Sequence, residues 1–255
     1  MEQCRRAARQ VLDRFHVETP EAIDLDTIAW HVGKLRIKEG GLTGSEGRLV
    51  ATTAQGGVIR VAPGTHPGRR RFTIAHEIGH FVLHQSAVID RVIERSDLTV
   101  WTTASEEAEA NCFAAELLMP EFLFGPLCIG WPSIQHLDDL ASKFQTSLLA
   151  TAFQFWEYTK EPIAIVLSQG WDMKSFRPFK SSWPRIRMGR IHPHSAAGRR
   201  LAEKSSDSAR MVSSPAYAWL EGFENNNDAE IREDSRYLEY YERTLTVLWI
   251  DEDLE

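Results

Sequence analysis

The chain lacks the marks of several protein classes. Its 255 residues include three cysteines, Cys4, Cys112 and Cys128, an odd number with no CxxC or paired spacing. That pattern gives no reason to expect a disulfide framework or a cysteine zinc knot, and it points to a reducing, cytoplasmic setting. No segment reaches the ~18 consecutive apolar residues of a membrane span, and Met1 to Leu25 carries basic groups without a continuous apolar core. A soluble, unsecreted protein with no membrane partner is expected. No internal repeat is visible, and only "ENNND" from Glu224 is locally low in complexity. Positive charge is also in deficit: 29 Lys and Arg face 36 Asp and Glu, a net −7. This argues against attraction of nucleic acid by the whole surface.

What remains is ordinary globular composition, 43% apolar and 25% charged, in a chain long enough for one larger and one smaller domain. The charge is unevenly placed. Trp171 to Arg210 holds ten Lys and Arg against three acids, and Met211 to Glu255 holds twelve acids against three arginines. Solvated faces that neutralise one another account for this simply. The competing reading is a basic, aromatic surface in the C-terminal part, with Trp171, Phe176, Phe179 and Trp183 among Lys174, Arg177, Lys180, Arg185 and Arg187, which would suit single-stranded nucleic acid.

Helical apolar spacing runs from Arg5 to Phe15, and "DLDTIAWHV" reads as a second helix led by aspartates. The period then shortens. "KLRIKE", "EGRLVATT" and "GVIRVAP" are β-leaning runs separated by glycine-rich turns, a small antiparallel sheet. A helix enters at Pro67 and runs to about His84, followed by a connector to Thr102. "TASEEAEANCFAAELLMP" opens with Thr103 and Glu106 in a capping box and stops at Pro120. "SIQHLDDLASKFQ" and "SLLATAFQFWEYT" are two further helices. After Pro162 the runs "IAIVLSQ", "WDMKSFRPF", "PRIRMG" and "TLTVLWI" are strand-like. The fold class expected is α+β: a domain over residues 1–160, with a small sheet, the helix from Pro67 and a helical bundle, then a strand-rich region over 161–255.

The chemistry concentrates in "RRRFTIAHEIGHFVLHQ", Arg69 to Gln85. Residues four apart share a helix face about 6 Å apart along the axis, so His76 and His80 can aim both imidazoles at one ion. Glu77 sits about 100° round the helix, placed to act as general base on the attacking water. Random placement of nine histidines and 23 glutamates would give this pattern only about 0.03 times per chain, so coincidence is the weaker account. Gly79 inside the helix costs ~1 kcal/mol relative to alanine, which suggests a closely approaching backbone.

Two histidines leave the ion one ligand short. The HExxHxxGxxH pattern fails, because Leu83 and Ser86 stand where it needs glycine and histidine. Three histidines along one straight helix span ~12 Å, so His84 cannot share the ion with His76 and His80 and reads as a packing or supporting residue. A second helix can supply a carboxylate. With Glu107 at zero, Ala110, Ala114, Leu117 and Leu118 fall between about −80° and +20°, so Glu107 lies in the apolar stripe. Glu106 lies at its edge, near −100°, and is the runner-up. Glu109 and Glu116 fall opposite and should be solvated. A carboxylate on a buried face needs a cation or hydrogen bonds, which a metal ion or an arginine from Arg69 to Arg71 would provide. Asn111, one turn on, could orient a ligand histidine. Cys112, some 140° away, reads as a buried or exposed small residue.

These two motifs resemble those of the ImmA/IrrE family of zinc metallopeptidases, over Leu25 to about Glu161 in order of elements. The resemblance implies a zincin-like peptidase domain over residues 1–160, Zn²⁺ held by His76, His80 and Glu107, Glu77 as the catalytic acid/base, and a gluzincin-like set in which Asn111 replaces an aspartate. Another divalent ion such as Mn²⁺ stays compatible. It also implies a protein substrate, a helix-turn-helix repressor encoded elsewhere, and a role in stress response or mobile-element control. His192 and His194 in "IHPHS" are candidates for stabilising the oxyanion. "GVIRVAP" could be an edge strand for an extended peptide, or an ordinary internal strand. Two other functional classes stay open: a metal-containing regulator without proteolysis, and a nucleic-acid-binding sensor acting through the C-terminal region. A helix-turn-helix between Ile134 and Trp156 is disfavoured, since Asp138 and Asp139 outnumber Lys143.

Overall fold

The computed structural model describes residues 2–41, 45–52, 56–84, 88–94, 106–130, 132–181, 183–203 and 211–251. They form two compact units, one of residues 1–127 with 141–150, the other of residues 128–140 with 151–255. Among the described residues no helix is long and apolar enough to cross a membrane.

The first unit opens with α1 (Glu2–Arg14) and α2 (Leu25–Gly33). Asp24 caps α2: its carboxylate accepts from the backbone N–H groups of Asp26 and Thr27 and from the Thr27 hydroxyl at 3.0, 3.3 and 2.6 Å, satisfying donors that the first turn leaves open. Four strands follow in space: β1 (Leu35–Glu39), β2 (Ser45–Thr52), β3 (Gly56–Val61) and β4 (Val88–Glu94), in the order β1-β3-β2-β4. β2 pairs antiparallel with β3 and β4, whereas β1 runs parallel to β3. The sheet is therefore mixed, not antiparallel throughout as expected, because the chain reverses at both ends of β2, so that β3 runs in the same sense as β1 when the two lie side by side. β3 is internal, which removes "GVIRVAP" as an edge for a peptide, and β4 lies in the stretch expected to be a connector. Leu49, Ile59 and Val61 bury their side chains on one face of this sheet.

α3 (Pro67–Leu83) carries proline in its first turn, where a missing N–H is harmless. α4 (Glu106–Leu118) follows; the expected cap at Thr103 lies outside the described residues. Cys112 of α4 is disulfide-bonded to Cys4 of α1 across 108 residues, which corrects the expectation of unpaired cysteines. α5 (Glu121–Phe124) completes this run. Glu116, expected to be solvated, is 3% exposed and accepts from the Glu121 backbone N–H at 3.1 Å. α4 is buried on nearly every side, so a wheel with one apolar stripe misplaces it.

α6 (Ile134–Phe144) and α7 (Leu148–Tyr158) are each divided between the units, upstream of the boundary suggested near Lys160. The second unit holds an antiparallel sheet ordered β6-β5-β9-β8-β7, from β5 (Ile163–Gln169), β6 (Asp172–Arg177), β7 (Val212–Pro215), β8 (Glu230–Leu238) and β9 (Arg243–Trp249). Trp219, Phe179, Leu220, Ile231 and Leu248 are among its core residues. "PRIRMG" is not a strand but makes a single bridge, Ile186 to Leu220. α8 (Ala196–Glu203) is anchored at its start by Glu233. This fully buried carboxylate accepts from the N–H groups of Ala196 and Ala197 at 2.8 and 2.7 Å and from the Trp219 indole at 2.8 Å, so burying its charge is compensated.

Candidate metal centre

Gly79 lets α3 and α4 meet. A β-carbon there would stand 3.0 Å from Phe113 Cδ1 and 3.2 Å from the Ala110 carbonyl oxygen, so the glycine answers the close approach that its helix-weakening presence suggests. On α3, His76 and His80 are wholly buried and their Nε2 atoms lie 2.9 Å apart. Glu107 reaches across from the first turn of α4, Oε2 lying 3.2 Å from His76 Nε2 and Oε1 3.2 Å from His80 Nε2. The three are the group among the described residues able to hold a metal ion. Donor atoms around a tetrahedral zinc at ~2.0–2.1 Å sit about 3.3 Å from one another, so the observed spacings and the His–His–Glu chemistry fit such an ion.

Asn111 Oδ1 lies 2.8 Å from His76 Nδ1. An amide oxygen only accepts, so the proton sits on Nδ1 and the Nε2 lone pair is left facing the cluster. The imidazoles of His76 and then His80, each 3.2 Å away, hold the Glu107 carboxyl well below the usual carboxylate range, against the opposing effect of its burial. Glu77, next to His76, is fully buried. His84 takes the supporting place: its Nε2 donates to the Glu106 carbonyl oxygen at 3.1 Å, and Nδ1 lies 3.7 Å from Glu109. It thus ties the end of α3 to the first turn of α4, a tether the sequence reading did not resolve. Of the arginines at the start of α3, Arg70 pairs with Glu39 at 3.1 Å and Arg71 donates to the Ile23 carbonyl at 3.2 Å.

His192 and His194 lie in the second unit, in a cluster of their own. His194 Nδ1 is 2.8 Å from the Tyr217 hydroxyl, and the His192 ring meets Tyr217 edge-on at 5.5 Å. Burial, then His194 and Arg187, lower the His192 pKa. In the basic, aromatic stretch Phe179 is core, Arg177 packs over Phe153 at 5.0 Å, and Lys180 donates to the Glu157 and Thr159 carbonyls at 3.0 and 2.6 Å. Trp183, Lys174 and Arg185 are exposed. Cys128 is buried, and burial pushes its thiol up to about 12, which disfavours the thiolate needed of a nucleophile or soft metal ligand.

Two buried histidines one helical turn apart and a carboxylate from a facing helix form a group that could hold a metal ion, in an α+β domain of the zincin-like kind. Residues 34–155 match the IrrE N-terminal-like domain of the M78 peptidases, which supports the resemblance to the ImmA/IrrE family. No curated protein sequence matches the chain. Among solved structures it is similar to a Mycobacterium tuberculosis transcriptional regulator, at 14% identity and a TM-score of 0.62, covering 99% of this chain and 89% of that one. At that identity the likeness is one of fold.

Proposed function

We propose that the chain is a metal-dependent endopeptidase, with zinc held by His76, His80 and Glu107. The observation that carries this reading is the meeting of those three side chains across α3 and α4 in a domain of a peptidase family. When bound, the ion would supply Lewis acidity toward the peptide carbonyl and the attacking water. Asn111 fixes the His76 tautomer. Glu77 serves as the proton carrier: it takes a proton from the attacking water and delivers it to the leaving amine. Glu77 is wholly buried on the ligand helix and adjoins His76 in sequence, which supports its place at the proposed metal centre.

The proposed substrate is a helix-turn-helix transcriptional repressor encoded elsewhere, cut in the cytoplasm during stress or mobile-element control. The structural relative's description as a transcriptional regulator is in keeping with gene control. The test is cleavage of repressors encoded beside the gene, read by fragment mass, with and without chelator. Glu77→Gln should keep bound zinc while lowering cleavage by about 10²-fold or more, the scale of acid–base catalysis. Undiminished cleavage by that variant would remove Glu77 from the mechanism, and cleavage that resists chelation would remove the metal.

A further inference from the structure

The solvent face of the first unit's sheet carries a concentration of cations that the candidate metal centre does not use. Lys38 of β1 pairs in register with Arg60 of β3, and Arg60 pairs with Arg48 of β2, so three cationic residues form one row across three strands. Arg36 stands two residues before Lys38 in the adjacent row, which continues through Val58 and Val50 to Asp90. Arg36, Lys38 and Arg60 are exposed and Arg48 is half-buried. Val50 is 43% and Trp30 45% exposed, and the Arg36 guanidinium lies 5.7 Å over the Trp30 ring. The acid at the end of β1, Glu39, turns to Arg70 instead. Among the described residues Lys38 and Arg60 have no ion-pair partner.

Like charges directly opposite on neighbouring strands are destabilising, and a single acid at 38 or 60 would relieve the row. We propose that this face docks an acidic polypeptide segment of a partner protein, whose carboxylates pair with Lys38 and Arg60 and with the neighbouring Arg36. Along β1, Arg36 and Lys38 stand two residues, ~6.6 Å, apart, the interval at which an extended segment with acids at alternate positions presents its carboxylates, while the cross-strand neighbours Lys38 and Arg60 lie ~4.8 Å apart. Arginine adds paired donors that match a carboxylate. A long nucleic acid fits less well. Four cationic residues fall short of the roughly six to ten phosphate contacts of strong electrostatic binders, and Arg36 already covers the Trp30 ring that a base would stack upon. A net charge of −7 repels an extended polyanion, whereas a short segment within a Debye length of ~8–10 Å feels chiefly the local patch. The proposal stands apart from the peptidase reading, since neither the ligands nor Glu77 enter it.

The experiment uses the full chain and fluorescence anisotropy at physiological salt. The probes are a labelled peptide of alternating glutamate and threonine, its glutamine counterpart, and a single-stranded oligonucleotide. The wild type should bind the glutamate peptide saturably and not the glutamine one. Lys38→Glu with Arg60→Glu should weaken it by about tenfold or more, while Lys174→Glu with Arg185→Glu, an equal change in net charge on the second unit, should leave it unchanged. Circular dichroism would show both variants folded. Absence of saturable peptide binding, or equal loss in both variants, overturns the proposal. Tighter oligonucleotide binding that depends on Lys38 and Arg60 also overturns it and assigns the face to nucleic acid.

Discussion

His76 on α3 donates its Nδ1 proton to the Asn111 side-chain oxygen on α4 at 2.8 Å. The same helix that brings the carboxylate ligand therefore sets the tautomer of a ligand from the other helix. Asn111→Ala should lower zinc affinity by about 10–100-fold, the usual scale for such supporting contacts, and Asn111→Asp should preserve it because a carboxylate also accepts. Competition with a chromophoric chelator measures both, and an alanine variant that binds zinc like the wild type would contradict the orienting role.

Two glycines in the first unit should behave differently from exposed helical glycines. Alanine at 79 gains ~1 kcal/mol in helix propensity but meets buried Phe113 at 3.0 Å; alanine at 68 would stand 2.3 Å from the Thr146 backbone carbon. Gly79→Ala should lose a net ~1–3 kcal/mol through overpacking, and Gly68→Ala more, since backbone cannot step aside. Denaturant melts rank them; a more stable Gly79→Ala would show that the helices separate freely.

Asp24 should make stability depend on acid. Its pKa is lowered, chiefly by the Thr27 hydroxyl, with backbone hydrogen bonds adding and burial opposing. A carboxyl whose folded pKa lies below its unfolded value of ~3.9 contributes fully above that value, and the contribution is lost as pH falls through the folded pKa. Asp24→Ala should cost about 1 kcal/mol at neutral pH, and the gap between variant and wild type should close below about pH 4. A gap that persists in acid would mean the loss is not the cap's.

The Cys4–Cys112 bond closes a separation of 108 residues. By the chain-entropy account a crosslink of that span is worth about 2–5 kcal/mol. Cys4→Ser should lower the unfolding free energy of oxidised protein by that amount, seen as a lower denaturation midpoint, and have little effect on reduced protein. Equal midpoints under oxidising conditions would refute the crosslink.

The helices of the candidate site were legible because their signals are local: proline at the entry of α3, the i, i+4 histidines, and a wheel that put Glu107 inward. Its supporting contacts were less so. Glu116 is buried because α4 is enclosed on most sides, which depends on neighbours that no wheel includes; the start of α5 just after Pro120, whose Glu121 N–H seeks an acceptor, was the available clue. β4 was missed because "VIDRVIE" is short and lies in an uncertain stretch. The internal position of β3 follows from which strands flank it, a property of pairing and not of its own residues. The disulfide joins residues 108 apart, beyond any spacing rule.

The division of the donor set between two helices bears on how the empty protein behaves. An ion that must touch His76 and His80 on one helix and Glu107 on another binds the assembled pair and not the separated one, so its binding energy becomes cohesion between them. With the proposed ion bound there, metal scarcity would be felt mechanically, as loosening along the seam that Gly79 keeps narrow, and the pair of helices would report the availability of the ion through its resistance to heat.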